Sequence, residues 1–148
     1  MQKLINMYFL PIAFASPEFD EYVKIRYTEI LEPKDGDFDE SLMDAEKDLL
    51  HFGLFSADFL LIGGIQLDLT TTKLYQLAIS KAYQNKGFGR MLVENLKKVG
   101  MEHGLSKIET EVSPELSAIF TKFGFLIIEN HSGSEFESPL AHMKLKLG

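Results

Sequence analysis

Apolar side chains return along this chain at two spacings, about two residues and about 3.6, and the switches between them mark out its elements. Residues 5–13 are rich in β-formers and predict a first strand, which Pro11 confines to an edge or brings to an early end. Ser16-Pro17-Glu18 opens a helix, with serine as N-cap, proline in the first helical position and an acid in the first turn. Phe19, Val23, Tyr27, Ile30 and Leu31 form its apolar face. Pro33 ends it, because the residue before a proline avoids α geometry. Arg26 is expected at the surface and Tyr27 half-buried, although both could face a cleft. Residues 49–55 and 59–69 are strands around the turn Ser56-Ala57-Asp58, and Gly63-Gly64 predicts a bulge or a close backbone approach. Thr70-Thr71-Thr72 turns into another strand at 74–79, so the three form an antiparallel meander. His51, among apolar neighbours, is expected to be structural or at an edge rather than catalytic.

Helical spacing then puts Phe88, Met91, Leu92, Leu96 and Val99 on one stripe, and Gly104 stops that helix. In residues 107–112, Ile108, Thr110 and Val112 alternate with Glu109 and Glu111, as in a strand. Ser113-Pro114-Glu115 repeats the earlier helix start. Leu116, Ile119, Phe120 and Phe123 are the face of a short helix that Gly124 caps. Residues 125–129 read as a strand and 130–134 as a polar loop. Ala141, Met143, Leu145 and Leu147 alternate with His142, Lys144 and Lys146 in a last, one-sided strand. No repeat, linker or low-complexity segment interrupts this order, and its 148 residues suit one domain with one core.

Composition narrows the function classes. Hydrophobic content of 45% and charge of 25% are those of a soluble globular protein. There is no cysteine, so neither a disulfide framework nor thiol chemistry is available. No apolar run is long enough for a membrane span and no signal region opens the chain, so a cytoplasmic protein is expected. A net charge of −7 disfavours nucleic acid and favours a cationic partner such as an amine. Asp35, Asp37, Asp39 and Glu46 imitate the spacing of a calcium-binding loop, but Glu40 stands where that loop needs glycine. A solvated acidic loop with a short helix is the expectation, one that could draw a cation to a cleft, and no metal is expected. An acidic interaction domain is the rival that this stretch supports.

The chemistry centres on the junction between the strand at 74–79 and the following helix. Gln84-Asn85-Lys86-Gly87-Phe88-Gly89-Arg90 joins them. The first N–H groups of a helix lack intrahelical partners and the macrodipole is positive there. Glycines let a bulky anion approach bare backbone, and Lys81, Lys86 and Arg90 add charge with no acid between them. A phosphate, most simply a diphosphate, fits such a junction. The dinucleotide fingerprint fails at Leu92, where a third glycine belongs, and the P-loop pattern is absent.

What is present, Gln84-x-x-Gly87-x-Gly89, resembles the acetyl-CoA loop of the GNAT superfamily of N-acetyltransferases, Gln/Arg-x-x-Gly-x-Gly/Ala. Ile119-Phe120-Thr121-Lys122-Phe123-Gly124-Phe125 resembles that family's late signature, Leu-Tyr-Glu-Lys-Leu-Gly-Phe. Together they cover residues 74–125; Ile25-Arg26-Tyr27 and Pro139-Leu140-Ala141-His142-Met143 resemble one bacterial branch more faintly. The resemblance implies an α/β fold with a mixed, mostly antiparallel central sheet, flanking helices and a splayed central strand pair. It implies acetyl-CoA as co-substrate and transfer of its acetyl group to an amine of a small molecule or peptide by direct attack.

In the family, backbone groups at Leu77, Ala78 and Ile79 would hold the pantetheine arm like an added strand. Those of Gln84, Asn85, Lys86, Gly87, Phe88, Gly89 and Arg90 would hold the diphosphate, and a backbone N–H near Ile79 would stabilise charge on the thioester oxygen. Phe120 lies along the cofactor, at the position of the family's usual acid, a tyrosine. A phenyl ring gives no proton to sulfur. Three readings stay open: the thiolate leaves unaided, since a thiol pKa of ~8.5 makes it a tolerable leaving group; Ser117, Tyr75 or Tyr83 substitutes; or the protein is an acetyl-CoA-binding module with little catalytic activity. Glu109, Glu111 and His142 are candidates for the base that strips the acceptor ammonium. The C-terminal strands offer a surface for a homodimer.

Overall fold

The computed structural model describes residues 7–31, 45–130 and 140–148. In chain order they form β1 (Tyr8–Pro11), α1 (Pro17–Arg26), β2 (Leu50–Phe55), β3 (Leu61–Asp68), β4 (Lys73–Ile79), α2 (Phe88–Glu102), β5 (Lys107–Val112), α3 (Pro114–Lys122), β6 (Leu126–Asn130) and β7 (Ala141–Lys146). The strands make one sheet in the order β1-β2-β3-β4-β5-β7-β6. Every neighbouring pair is antiparallel except β4 and β5. The mixed, mostly antiparallel sheet and its meander β2-β3-β4 are therefore as the sequence implied. The Pro33 helix stop, most of the acidic loop and nearly all of the polar loop after β6 fall outside the described residues.

Local chemistry explains the helix starts. At α1 the Ser16 hydroxyl accepts from the Phe19 N–H at 3.1 Å, one of the donors a helix start leaves free. Ser113 occupies the same place before α3 but makes no side-chain cap. β1 is an edge strand that ends at Pro11, as a residue without an N–H dictates.

The predicted face of α1 needs correction. Phe19, Tyr22 and Arg26 are the buried residues, whereas Tyr27 is 38% exposed. Arg26, expected at the surface, is only 4% exposed. Its guanidinium forms a bidentate pair with Glu46, both contacts at 2.8 Å, and lies 5.3 Å from the Tyr22 ring centroid. Gln66 Nε2 donates to Glu46 at 2.6 Å and to His51 Nδ1 at 3.1 Å. His51 is thus the structural histidine expected, with Phe19 edge-on to its ring. Glu46, read as the end of a calcium-like loop, is committed to Arg26 and Gln66 instead. Burial alone would raise the Glu46 carboxyl, but the Arg26 and Gln66 hydrogen bonds outweigh it and hold it below the usual carboxylate range. Burial likewise holds the His51 imidazole below its usual value.

α1 packs on one face of the sheet and α2 on the other, where Leu92, Val93 and Leu96 meet Ile65, Leu67, Leu74, Ile108 and Met143. The stripe on α2 is rotated from the predicted one: Val93 and Gly100 are buried while Met91 lies at the surface. Along β7 the predicted alternation holds, with Ala141, Met143 and Leu145 buried. On α3 only Phe120 of the predicted face is buried; Leu116 and Ile119 are exposed. β6 begins one residue later than predicted, after the fully buried Phe125.

Glu46→Gln leaves the Arg26 guanidinium buried without its counter-charge, and urea unfolding is expected to register a loss of about 3 kcal/mol. Acid acts on the same cluster. An unfolded chain protonates His51 first as pH falls below about 6.5, and Glu46 follows through the carboxylate range. The melting temperature should fall from about pH 7 to about pH 4.5, and His51→Gln should make the upper part of that fall shallower.

Candidate active site

Two features of β4 create an opening in the sheet. The first is a bulge. Tyr75 pairs with Gln66 and Ala78 with Gly64, so Gln76 and Leu77 together oppose Ile65. Gln76 takes a left-handed φ of 52°, and its carbonyl accepts from the buried Tyr22 hydroxyl at 2.6 Å. The predicted close approach is also real: a Cβ on Gly63 would lie 2.5 Å from the Ala78 oxygen. The second feature is the other edge of β4. It pairs with β5 only at Lys73 and Glu109, supported by Thr110 Oγ1 donating to the Leu74 carbonyl at 3.2 Å. Beyond that point the two parallel strands part, as the resemblance implied.

A short 3-10 turn, Lys81–Tyr83, follows β4 and leads into the glycine loop. Asn85 (φ 62°) and Gly87 (φ 88°) both take left-handed backbone, which glycine adopts freely and asparagine better than most residues. These bends swing the chain into α2, whose first backbone hydrogen bond runs from Met91 N–H to Gly87 O at 3.2 Å. The N–H groups of Asn85 through Arg90 have no backbone acceptor among the described residues.

All of these residues but Lys86 border a cavity of about 590 Å³. Leu77, Ala78 and Ile79 line it from β4, Gln84, Asn85, Gly87, Phe88, Gly89 and Arg90 from the loop and α2, and Phe120 from α3. Of the residues assigned to cofactor binding from sequence, only Lys86 stands outside, exposed to solvent. Leu116 and Ile119, predicted as core, line the cavity instead. Arg90 and Lys122 add positive charge, and the Arg90 guanidinium donates to the Lys122 carbonyl at the end of α3.

Of the candidate acid and base side chains, Tyr83 alone lines the cavity. The Ser117 hydroxyl donates to Pro114 O at 2.7 Å within its own helix, and Ser117 does not line the cavity. Glu109 contacts His142 Nε2 at 2.6 Å and pairs with Lys107; the Lys107 ammonium holds its carboxyl below the usual range. Glu111 pairs with Lys73 at 3.4 Å. Tyr83 does line the cavity, its ring edge-on to Phe88, whereas Tyr75 does not. Sequence reading missed Glu29, which lies in a π-helical turn at Tyr27–Leu31 and lines the same cavity. Gln84 Nε2 donates to Glu29 Oε1 at 2.6 Å and to Ile79 O at 2.9 Å. No local pattern links Glu29 to a partner so distant in sequence; the only signal was the glutamine of the loop motif.

Open N–H groups over a cavity, continuous with a parted strand pair, form the candidate site on this α/β sheet. The family profile described as acetyltransferase (GNAT) domain matches residues 29–147, and the chain belongs to that family. No curated protein matches the chain. Among solved structures, a Lactobacillus plantarum protein assigned as an N-acetyltransferase is similar at 16% identity, with 96% of this chain and 99% of that one covered and a TM-score of 0.79. The ribosomal-protein-S18-alanine N-acetyltransferase of Escherichia coli is similar at 15% identity, covering 97% and 95% with a TM-score of 0.76. A chimeric spermidine N-acetyltransferase from Vibrio cholerae and hSSAT is similar at 19% identity, covering 95% of each chain with a TM-score of 0.71. Identities this low establish the fold alone. Among the described residues no helix is long and apolar enough to cross a membrane, and no group of three or more His, Cys, Asp or Glu could hold a metal ion.

Tyr22→Phe removes the donor on the Gln76 carbonyl and nothing else. Stability should fall by about 1 kcal/mol. Hydrogen exchange at Ala78, which pairs with Gly64 beside the bulge, should quicken by about five-fold, the factor that free energy sets, relative to amides in β2.

Proposed function

We propose that the protein transfers the acetyl group of acetyl-CoA to an amine of a small molecule or peptide by direct attack. The observation that carries this reading is the row of N–H groups from Asn85 to Arg90 without backbone acceptors, bordering the same cavity as the parted end of β4. The residues present fit coenzyme A. Those amides, with Arg90 and Lys122, suit a diphosphate. The β4 edge from Leu77 to Ile79, left without a full partner in β5, suits the amide-bearing pantetheine arm. Acetyl-CoA supplies an acetyl group on a thioester. The chain supplies the β4 edge at Ile79, where a backbone donor would face the thioester oxygen, and an apolar wall at Phe120 and Ile119.

In direct transfer the amine nitrogen forms the new N–C bond. The C–S bond breaks with its electron pair on sulfur, and the nitrogen's surplus proton passes to the thiolate or to solvent. Phe120 gives sulfur no proton, so the thiolate leaves unaided or takes one from Tyr83, the hydroxyl that lines the cavity. The absence of a hydroxyl at Phe120 favours one second reading, an acetyl-CoA-binding module with little catalytic activity. Calorimetry with acetyl-CoA and a thiol-release assay over an amine panel distinguish these. Binding with thiol release for at least one amine is expected. Binding with no release for any acceptor supports the module, and absence of binding overturns both.

A further inference from the structure

The carboxylates near the sheet differ in how they are held. Glu46 is closed by Arg26 and Gln66, Glu109 by Lys107 and His142, and Glu111 by Lys73. Glu29 is half-buried in the cavity wall, and its hydrogen bond is to a neutral donor, the Gln84 amide, at 2.6 Å. Among the described residues no cation pairs with it and Oε2 has no partner. The other charged or titratable groups lining the cavity are Tyr83 beyond β4, Arg90 on α2 and Lys122 on α3, and none of them meets it.

A half-buried carboxylate without a counter-charge is costly in a closed protein and useful where a cation arrives. Gln84 bonds both Glu29 and the carbonyl of Ile79, so one side chain ties this carboxylate to the end of β4. The backbone around it is special as well, since π-helical turns concentrate at functional sites.

We propose that Glu29 receives the acceptor: Oε2 binds the ammonium of a cationic primary amine and takes its proton. The substrate class is then an amine charged at neutral pH, in accord with a chain of net charge −7. The step is one proton transfer. An N–H bond breaks and an O–H bond forms on Glu29. The nitrogen keeps the electron pair as the lone pair with which it attacks, and Glu29 later returns the proton to solvent. An amine of pKa near ~10 is mostly protonated at pH 7, so a base at this point is a chemical requirement.

This inference rests on the acetyltransferase reading, and the experiment separates the two. Glu29→Gln keeps an acceptor for Gln84 and removes only the charge. Both proteins are titrated with acetyl-CoA, then with spermidine as the probe amine after saturation with coenzyme A, and thiol release from spermidine and from alanine- and lysine-terminated peptides is followed against pH. The variant should bind acetyl-CoA within two-fold of wild type and melt at the same temperature. It should bind the probe at least ten-fold more weakly, and kcat/KM should fall about a hundred-fold at pH 7. That loss should shrink as pH nears the amine's own pKa, where the free base needs no help. Glu29→Asp should recover part of it. An active wild type with an equally active Glu29→Gln across the pH range overturns the role of Glu29. So does much tighter acetyl-CoA binding with transfer unchanged, which would make Glu29 a barrier to cofactor entry. A wild type that neither binds acetyl-CoA nor releases thiol overturns the acetyltransferase reading itself.

Discussion

A strand in the middle of a sheet normally satisfies both neighbours, and this fold depends on β4 satisfying only one. The hydrogen bond from Tyr22 to the Gln76 carbonyl holds that arrangement. It fixes one residue in left-handed backbone, which costs on the order of 1 kcal/mol for a side chain other than glycine. The extra residue kinks β4. β4 stays with β3 beyond the bulge, at Ala78 and Ile79, while its pairing with β5 stops at Lys73. Backbone groups of Leu77 and its neighbours are thus left for something other than a sheet partner.

The clamp is itself anchored. Tyr22 lies against the Arg26 guanidinium, which Glu46 holds by both oxygens, and Gln66 and His51 complete a buried polar cluster. Such clusters add little net stability compared with apolar packing, but a partner removed from one leaves a stranded charge. Their strength is geometric: the bidentate fork fixes the rotation of α1, and so where Tyr22 and the turn after Arg26 point. α1 therefore sets three things along one line: the bulge through Tyr22, its own orientation through Arg26, and the cavity wall through Glu29 in the π-helical turn.

What was legible in the sequence was local. The Ser16-Pro17-Glu18 helix start and the strand-to-helix turn at the glycine loop read correctly because their instructions sit within a few residues: a cap, a fixed φ, a left-handed bend. Gly63-Gly64 read correctly because a missing Cβ is itself the signal. Arg26 was misread because its partner is one acid in a long acidic stretch, and nothing local distinguishes Glu46 from the rest. Leu116 and Ile119 look like core because an apolar stripe facing a cavity has the same spacing as one facing a sheet. Glu29 was invisible for a topological reason: its partner Gln84 comes from the far side of the meander.

The cavity also has a polarity that helical spacing could not reveal. Arg90 and Lys122 stand with the free amides of the glycine loop, whereas Glu29 stands with Ile79 at the end of β4. That arrangement suits an anion at one part and a cation at the other. That separation matters more here than in a protein with a tyrosine at position 120. In the proposed transfer Phe120 gives sulfur no proton, which leaves Tyr83 or an unaided thiolate, and the amine is a strong nucleophile only once it has lost its own proton. The proposed demand on a base near Ile79 follows from the protonation of the amine itself, and among the described residues Glu29 is the carboxylate in the cavity wall able to meet it.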